Sequence, residues 1–271
     1  MKIPFWKMHG AGNDFIMIDD RERIFPVADT AWIAGITRRR FGVGCDGVIL
    51  VQHADATDFR MVFYNPDGCE VEMCGNGARC VARLANDLGI AGTGMVFDTG
   101  AGAIRATVDG DWVTLQMTDP FDWAFDQSIE IGGELLTFHQ VNSGVPHVVV
   151  EVDDVEHIDL LELGAGIRYN ERFPNGTNAN FIQITGPDAL CLRTYERGVE
   201  AETLACGTGM VACGLIAGKL GRVSRPVKIT CASGDVLEVC YTDVDEGAVD
   251  VRLKGPAVHV FAGALDYPGG A

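Results

Sequence analysis

The chain contains 271 residues, of which 47% are hydrophobic, and it carries a formal net charge of −17. This acidic balance excludes a nucleic-acid partner, since a polyanion would be repelled. The chain has no apolar signal region and no run of about 18 apolar residues, so we expect a cytoplasmic protein with no membrane partner.

The first half is predicted to consist of short strands with glycine-rich turns. Strands are predicted at 3–7, 16–18, 48–51, 58–64, 95–98, 103–108 and 112–117, and a helix at 28–38. A glycine-flanked turn at 9–15 aims Asn13 into a cleft. The glycine-rich loop at 41–47 lacks the lysine of a phosphate-binding loop, which excludes a nucleotide site. The NPDG turn at 65–68 leads directly to Cys74.

The second half repeats this pattern after a predicted domain boundary at 118–120. Strands are predicted at 139–142, 147–152, 180–185, 191–195, 227–231, 236–241 and 248–253, with a helix at 158–167. The segment 258–261 is predicted to be a strand that returns to the first domain. The pattern is therefore rich in strands, with one main helix in each half.

One motif occurs twice, once in each half. Cys74 and Cys206 each begin a Cys-Gly-x-Gly sequence that is followed by a small, apolar, helix-forming run. A cysteine just before a helix lies beside outward-pointing backbone N–H groups, so we expect its thiol pKa to fall. The same amides are suited to hold a carboxylate. The repeat therefore predicts two reactive thiols that face each other across a cleft.

The remaining cysteines indicate neither a disulfide framework nor a metal site. Nine cysteines is an odd number and they lack regular spacing. The spacing of Cys69, Cys74 and Cys80 is not that of a zinc site, and no histidine lies nearby at ligand spacing. Five other cysteines are expected to be buried as small hydrophobic residues, namely Cys80, Cys191, Cys213, Cys231 and Cys240.

Seven motifs in order resemble the diaminopimelate epimerase family. They are HGAGNDF at 9–15, NPDG at 65–68, MCGNGARC at 73–80, PH at 146–147, TN at 177–178, YERG at 195–198 and ACGTG at 205–209. The resemblance covers essentially the whole chain. It implies epimerisation of L,L-diaminopimelate to meso-diaminopimelate without a cofactor, in lysine and peptidoglycan precursor synthesis. We also expect a homodimer that binds a small amino-acid substrate.

The resemblance implies an α/β (α+β) fold of two similar domains, each a β-sheet wrapped around a central helix, with the active site in the cleft between them. The expected domains are 1–119, joined by 258–271, and 120–257. Cys74 and Cys206 would be the acid–base pair, and His147 and Glu196 would tune the thiols or hold the substrate ammonium. The implied substrate contacts are Asn13, Asn65, Asn178, Glu196 and Arg197, together with the backbone of Gly75, Asn76, Gly207 and Thr208.

Two positions depart from a pattern found in some family members. Gly47 stands where that pattern has a glutamine, and Val145 stands where it has an asparagine; both departures concern recognition of the substrate side chain rather than the thiol chemistry. None of the five lysines lies in a recognisable Schiff-base setting, which favours a cofactor-free route.

Several alternatives stay open on the sequence. A related racemase of another amino acid, such as histidine, would use the same thiols. A redox or ligand-binding protein would use them without turnover. Arg197 is suited to bind a second carboxylate, or else to pair with Glu196 or Glu200 at the surface. His147 is alternatively a satisfied, partly buried histidine, and Asn65 a turn residue.

Overall fold

The computed structural model describes residues 1–269. The chain divides into two compact units. Unit 1 comprises Met1–Leu115 and the segment from Gly255 onward, and unit 2 comprises Gln116–Lys254. The predicted domain boundaries, which assign 1–119 to one domain and 120–257 to the other, remain a proposal.

Unit 1 contains one mixed sheet and two helices. Its elements are β1 (Lys2–Gly10), β2 (Asn13–Asp19), α1 (Thr30–Thr37), β3 (Gly47–Gln52), β4 (Phe59–Tyr64), β5 (Glu70–Val71), α2 (Gly75–Asp87), β6 (Gly94–Thr99), β7 (Gly102–Asp109), β8 (Trp112–Gln116) and, from the C-terminal segment, β18 (Val258–Asp266). Neighbouring strands follow the order β18-β1-β2-β3-β4-β6-β7-β8, with β5 beside β4. The pairs β2–β3 and β4–β6 are parallel and the others antiparallel.

The sheet of unit 1 is covered on both faces, which explains the long apolar runs of its strands. Ile16 and Ile18 lie in a core cluster with Ile33 of α1. Alternate residues such as Phe15 and Ile49 face the opposite side, where α2 packs against β1, β2, β3 and β7. Helix α2 is therefore the central helix around which this sheet wraps.

Unit 2 repeats the connectivity. Its elements are β9 (Phe121–Ile131), β10 (Glu134–Asn142), β11 (Pro146–Glu151), a 3₁₀ turn (Val155–His157), α3 (Leu160–Arg168), β12 (Asn178–Gly186), β13 (Ala189–Glu196), β14 (Ala201–Thr203), α4 (Gly207–Lys219), β15 (Val227–Thr230), β16 (Val236–Val244) and β17 (Gly247–Pro256). The strand order β9-β10-β11-β12-β13-β15-β16-β17 has its parallel pairs at β11–β12 and β13–β15.

The two units therefore share one topology, in which β9 of unit 2 corresponds to β18 of unit 1. Helix α4 packs against β10, β11, β12, β13, β15 and β16, as α2 does against its own sheet. Phe138, Val148 and Phe181 fill the opposite face of the unit 2 sheet with Leu160 and Ile167 of α3. The prediction of two similar α/β domains, each with a sheet around a central helix, is confirmed.

The main element missing from the sequence prediction is β9. Asp122 and Asp126 both have positive φ, so the strand is irregular and its alternation of apolar residues is broken. Gly132 and Gly133 also have positive φ and close the hairpin from β9 to β10. A Gly-Gly pair between two strand-forming runs is a recognised hairpin signal and was the clue to this element.

Candidate active site

Cys74 lies at the start of the central helix of unit 1. It is the N-cap of α2, with φ −139° and ψ 123°, and its side chain makes no capping hydrogen bond to the helix. By contrast, the side chain of Asp29 caps α1 by accepting a hydrogen bond from the Trp32 N–H. Unlike Asp29, Cys74 therefore does not use its side chain to cap the N–H groups at the start of its helix.

Glycine is needed in the first turn of both central helices. A Cβ atom at Gly77 would lie 2.5 Å from Ile49 Cδ1, and one at Gly209 would lie 2.6 Å from Asn180 Oδ1 and 3.3 Å from Cys206 Sγ. Real Cβ atoms essentially never lie within 3.0 Å of another atom, and a distance of 3.3 Å is itself a tight contact. The second glycine of each Cys-Gly-x-Gly motif therefore lets the helix start pack closely against its own sheet.

Asn13 contacts the first thiol directly. The Cys74 thiol donates a hydrogen bond to Asn13 Oδ1 at 3.4 Å, and Asn13 Nδ2 donates to Asp46 Oδ2 at 2.6 Å. Asn13 begins β2 after a turn in which Ala11 and Gly12 have φ of 56° and 85°. The predicted turn thus places Asn13 beside Cys74.

The Asn76 side chain is engaged within unit 1. Arg79 Nη2 donates to Asn76 Oδ1 at 2.9 Å, and Arg79 Nε donates to the Pro256 carbonyl at 3.2 Å. Asn76 is 4% exposed and Arg79 is fully buried. A substrate contact from Asn76 would therefore come from its backbone, as the resemblance implies.

Asn65 opens the predicted turn. Its N–H donates to the Cys69 carbonyl at 2.9 Å, and its carbonyl accepts from the Gly68 N–H at 2.9 Å. Gly68 has φ +84°, which this turn requires. The turn interpretation of Asn65 is confirmed by these backbone contacts, whereas a substrate contact from its side chain stays a prediction.

Cys206 occupies the corresponding position in unit 2. It is the N-cap of α4, with φ −110° and ψ 106°, and it is 7% exposed. Its sulfur lies 3.7 Å from Thr208 Oγ1. Ser143 Oγ donates to the Thr208 carbonyl at 2.8 Å, which ties the first turn of α4 to the loop after β10.

Glu196, at the end of β13, lies beside the second thiol. Burial raises the pKa of the Glu196 carboxyl, although hydrogen bonds from Thr203 and Cys206 partly offset that effect. The Thr203 hydroxyl donates to Glu196 Oε2 at 2.7 Å. Because an ionised carboxylate can only accept hydrogen bonds, the Cys206 thiol is the donor in its contact with Glu196.

His147 is fully buried on β11. Burial, reinforced by the nearby Arg197 charge, lowers the pKa of His147 to about 3, so the imidazole is neutral near pH 7. Asn180 Nδ2 lies 3.1 Å from Nδ1, which makes Nδ1 the acceptor and leaves the proton on Nε2. Within residues 1–269, Nε2 is buried without a hydrogen-bond partner.

The side chain of Asn178 is hydrogen-bonded to the backbone of Arg197. The Arg197 N–H donates to Asn178 Oδ1 at 2.8 Å, and Asn178 Nδ2 donates to the Pro146 carbonyl at 3.1 Å. Arg197 Nη1 donates to the Asn175 carbonyl at 3.1 Å. The alternative that Arg197 forms a surface ion pair with Glu200 is wrong, because Glu200 pairs instead with Arg168 at 2.9 Å.

Each unit therefore brings several predicted residues together around its own thiol. Asn13 lies with Cys74, and Glu196 and Thr208 lie with Cys206. Sequence reasoning missed Asp46, Arg79, Thr203 and Asn180. Two of them had a local signal, because Arg79 lies inside the motif at 73–80 and Asn180 lies two positions after Asn178 on one strand and so shares its face.

The other cysteines follow the sequence interpretation in part. Cys80, Cys213 and Cys231 are buried, but Cys191 and Cys240 are only half-buried, so the prediction is wrong for those two. Burial raises the pKa of Cys80 to about 12, which leaves that thiol unreactive.

The described residues also bear on metal binding and on membrane insertion. Residues 1–269 contain no group of three or more His, Cys, Asp or Glu side chains placed to hold a metal ion. In the same part of the chain, no helix has the length and apolarity needed to cross a membrane.

Comparison with known families gives a match over most of the chain. The family model described as diaminopimelate epimerase matches residues 5–122 and 139–260. A protein named diaminopimelate epimerase from Aquifex aeolicus is 42% identical over 276 residues, which cover 97% of this chain and 98% of that protein. One of the same name from Chlorobaculum tepidum is 42% identical over 263 residues, covering 95% and 99%.

Solved structures with distant sequences share the fold. A PhzF-family phenazine biosynthesis protein from Bacillus anthracis superposes with a TM-score of 0.74 at 15% identity, covering 98% of this chain and 100% of that one. A probable proline racemase from Agrobacterium radiobacter K84 gives a TM-score of 0.70 at 17% identity, covering 97% and 93%. These similarities are evidence for the two-domain fold alone.

Proposed function

Because this chain belongs to the diaminopimelate epimerase family, we propose that it interconverts L,L- and meso-diaminopimelate, with Cys74 and Cys206 as the acid–base pair and without a cofactor. The observation that carries this proposal is the repeated placement of a cysteine at the N-cap of each central helix. Two units of one topology thus supply two equivalent thiols.

Inversion at an α-carbon requires that a proton leave one face and that another arrive on the opposite face. A single base would return the proton to the face from which it came. A thiolate and a thiol acting on opposite faces avoid this, and they exchange roles with the direction of reaction. Each turnover leaves the pair in the opposite protonation state.

The α-proton of an amino acid is a weak acid, so the developing carbanion needs electrostatic stabilisation. The backbone amides of Gly75 and Asn76, and of Gly207 and Thr208, belong to the first turns of α2 and α4. In the proposed mechanism these amides donate to the substrate α-carboxylate, where charge develops in the transition state.

Glu196 and His147 have different roles in this mechanism. The ionised Glu196 carboxylate accepts the Cys206 proton or holds the substrate ammonium. His147 acts as a hydrogen-bond donor through Nε2, since its neutral ring has Nδ1 already engaged by Asn180. Asn13, Asn65 and Asn178 are proposed to orient the amino acid through their polar side chains.

Arg197 is proposed to bind the second carboxylate of diaminopimelate. Within residues 1–269 its guanidinium forms no ion pair, and only Nη1 donates, to the Asn175 carbonyl. The planar fork of arginine binds a carboxylate through two parallel hydrogen bonds. This assignment favours diaminopimelate over a monocarboxylic amino acid such as histidine.

The lysine variant Arg197→Lys is expected to raise KM for diaminopimelate. Replacing a bidentate fork by a point charge removes one charge-assisted hydrogen bond, which corresponds to about a tenfold loss in kcat/KM. Arg172→Lys is a matched control, because Arg172 is exposed and contacts Gln127 and the Ser128 carbonyl. An unchanged KM in Arg197→Lys would contradict the assignment.

The function is tested by proton exchange in D₂O. Purified protein is incubated with L,L-diaminopimelate, and the product is analysed by chiral chromatography and mass spectrometry. We expect meso-diaminopimelate with one deuterium at the inverted α-carbon and no need for added pyridoxal phosphate. Faster turnover of histidine than of diaminopimelate would establish the related racemase instead, and thiol oxidation without turnover would establish a redox protein.

The assembly and location are further parts of the proposal. The family resemblance supports a homodimer in the cytoplasm. Sedimentation equilibrium is expected to give twice the 29.1 kDa mass of the chain. A mass equal to one chain would contradict the homodimer while leaving the epimerase proposal intact.

A further inference from the structure

Asp46 is hydrogen-bonded to the dipeptide that opens β2. Its N–H donates to the Asp14 carbonyl at 2.8 Å. Its Oδ2 accepts from the Asp14 N–H at 3.2 Å and from Asn13 Nδ2 at 2.6 Å. One hydrogen bond from the Asp46 backbone and two to its carboxylate thus attach Asp46 to Asn13 and Asp14, and Asn13 is the residue that contacts Cys74.

A second layer of charges holds Asp46 in this position. Arg39 Nη2 donates to Asp46 Oδ1 at 2.9 Å and to Asp14 Oδ1 at 2.6 Å. Lys7, which is 6% exposed, pairs with Asp14 Oδ2 at 2.6 Å and also donates to the Gly44 carbonyl. The loop that carries Asp46 is therefore attached to β1 and β2 on both sides of the carboxylate.

This arrangement determines which way the Asn13 amide points. A carboxylate can only accept hydrogen bonds, so the NH₂ group of Asn13 must face Asp46. The carbonyl oxygen of the same amide then faces Cys74 Sγ, at 3.4 Å. A carbonyl oxygen accepts a hydrogen bond from a thiol but offers none to a thiolate, so this contact favours the protonated form of Cys74.

We propose that Asp46 is a positioning residue, which locks the Asn13 carboxamide with its oxygen towards Cys74 and so holds Cys74 in its proton-donating form before substrate binds. This inference rests on the two-thiol function proposed above. It assigns the thiol form of the first cysteine to the resting enzyme. In the direction of reaction that needs Cys74 as the base, the Asn13 amide must turn or its hydrogen bond to Asp46 must break.

Other charged groups on the elements packed here also act on Cys74. Their electrostatic fields act on the thiol in addition to the Asn13 amide. The test must therefore separate the effect of charge from the effect of amide orientation. The elements that pack together beside Cys74 are β1, β2, α2 and the segments before β3 and α2, and their ionisable side chains include Lys7, His9, Asp14, Arg39, Asp46, Glu70, Glu72, Arg79 and Arg83.

The test measures the apparent pKa of Cys74 from the pH dependence of its alkylation by iodoacetamide, with quantification of the Cys74 peptide by mass spectrometry. In Asp46→Asn, the new amide can donate as well as accept, so the Asn13 amide is able to turn its NH₂ group towards Cys74. A donor stabilises the thiolate, and the apparent pKa is expected to fall by about one unit, or about tenfold more thiolate at low pH.

Two controls separate orientation from charge. Glu72→Gln removes an equal charge two positions before Cys74 and leaves the Asn13 amide locked, so its shift measures the field. In the Asn13→Ala background there is no amide to orient. There, Asp46→Asn is expected to shift the apparent pKa of Cys74 only as much as Glu72→Gln does. An equal shift of Asp46→Asn in both backgrounds, or no shift in the native background, would overturn the lock.

The alkylation assay needs no substrate, so its failure is distinct from failure of the epimerase proposal. Circular dichroism checks that each variant is folded, and Asp46→Ser replaces Asp46→Asn if the latter is not, since a hydroxyl also donates and accepts. In the epimerase assay, the acid limb of the pH profile of kcat/KM is expected to move to lower pH in Asp46→Asn in both directions, because the overall equilibrium fixes the ratio of the two. A merely structural role for Asp46 would lower kcat/KM without moving the profile.

Discussion

Replacing either Cys74 or Cys206 by alanine is expected to lower epimerisation by at least about a thousandfold, because each removes one of the two proton-transfer groups. Inversion needs a donor on one face and an acceptor on the other, and the remaining thiol serves only its own face. The rate is measured from the conversion of L,L-diaminopimelate to the meso form. Near-normal turnover by either variant would rule out the two-thiol mechanism.

The two variants are also expected to differ in the isotope exchange that they retain. A remaining thiolate can remove the α-proton from one stereoisomer and return a deuteron to the same face. Cys74→Ala and Cys206→Ala should therefore each catalyse slow exchange with retention, but on opposite configurations at the reacting carbon. Exchange of the same configuration by both variants would mean that the thiols do not serve opposite faces.

Cys69→Ala is the matched control for this pair of variants. Cys69 is exposed, lies in the turn before β5 and has no side-chain role in the site. Its replacement should leave both the rate and the folding unchanged. A buried cysteine such as Cys80 is less suitable, because its truncation would remove packing contacts in the core of unit 1.

The sequence predicted those parts of the site that depend on local chemistry. The helix starts at Cys74 and Cys206 follow from the glycines and the small apolar residues after them, and the NPDG turn follows from its composition. The structure adds the reason for Gly77 and Gly209, which is the close approach of each helix to a strand of its own sheet.

The parts that were missed depend on contacts between residues distant in the chain. Asp46 reaches Asn13 across 33 positions, and no pattern near either residue indicates that hydrogen bond. His147 illustrates a different difficulty, because its neutral state follows from complete burial beside Arg197 and cannot be inferred from its position after a proline. A run of arginines such as that at 38–40 is typical of a solvated helix end, and its composition does not indicate that Arg39 binds the carboxylates of both Asp14 and Asp46.

Glu196→Gln is expected to lower epimerisation by about a hundredfold and at the same time to raise the melting temperature at neutral pH. Glutamine keeps an oxygen that accepts the Thr203 hydrogen bond, but it cannot take a proton from Cys206. Ionised Glu196 is costly because the carboxylate is largely removed from water, which is the cause of its raised pKa. The neutral amide removes that cost.

The sign of the pH dependence follows from proton linkage. Because burial raises the pKa of Glu196 in the folded protein, the folded state binds more protons than the unfolded state between the unfolded and folded pKa values. The contribution of Glu196 to stability is therefore lost as pH rises through that window. The stabilisation of Glu196→Gln relative to the native protein should be largest above the folded pKa and should disappear as the pH falls below the unfolded one.

Thermal unfolding followed by circular dichroism at a series of pH values from 4 to 8 measures this difference. Glu202→Gln is the control, because Glu202 lies on the neighbouring strand and pairs with Arg193 at 2.7 Å near the surface. Its replacement should not raise the melting temperature, since it removes an ion pair rather than a buried charge. A fall in melting temperature for Glu196→Gln that is independent of pH would show that the carboxylate stabilises the fold. Its burial beside Cys206 would then not be a loss of stability that serves catalysis.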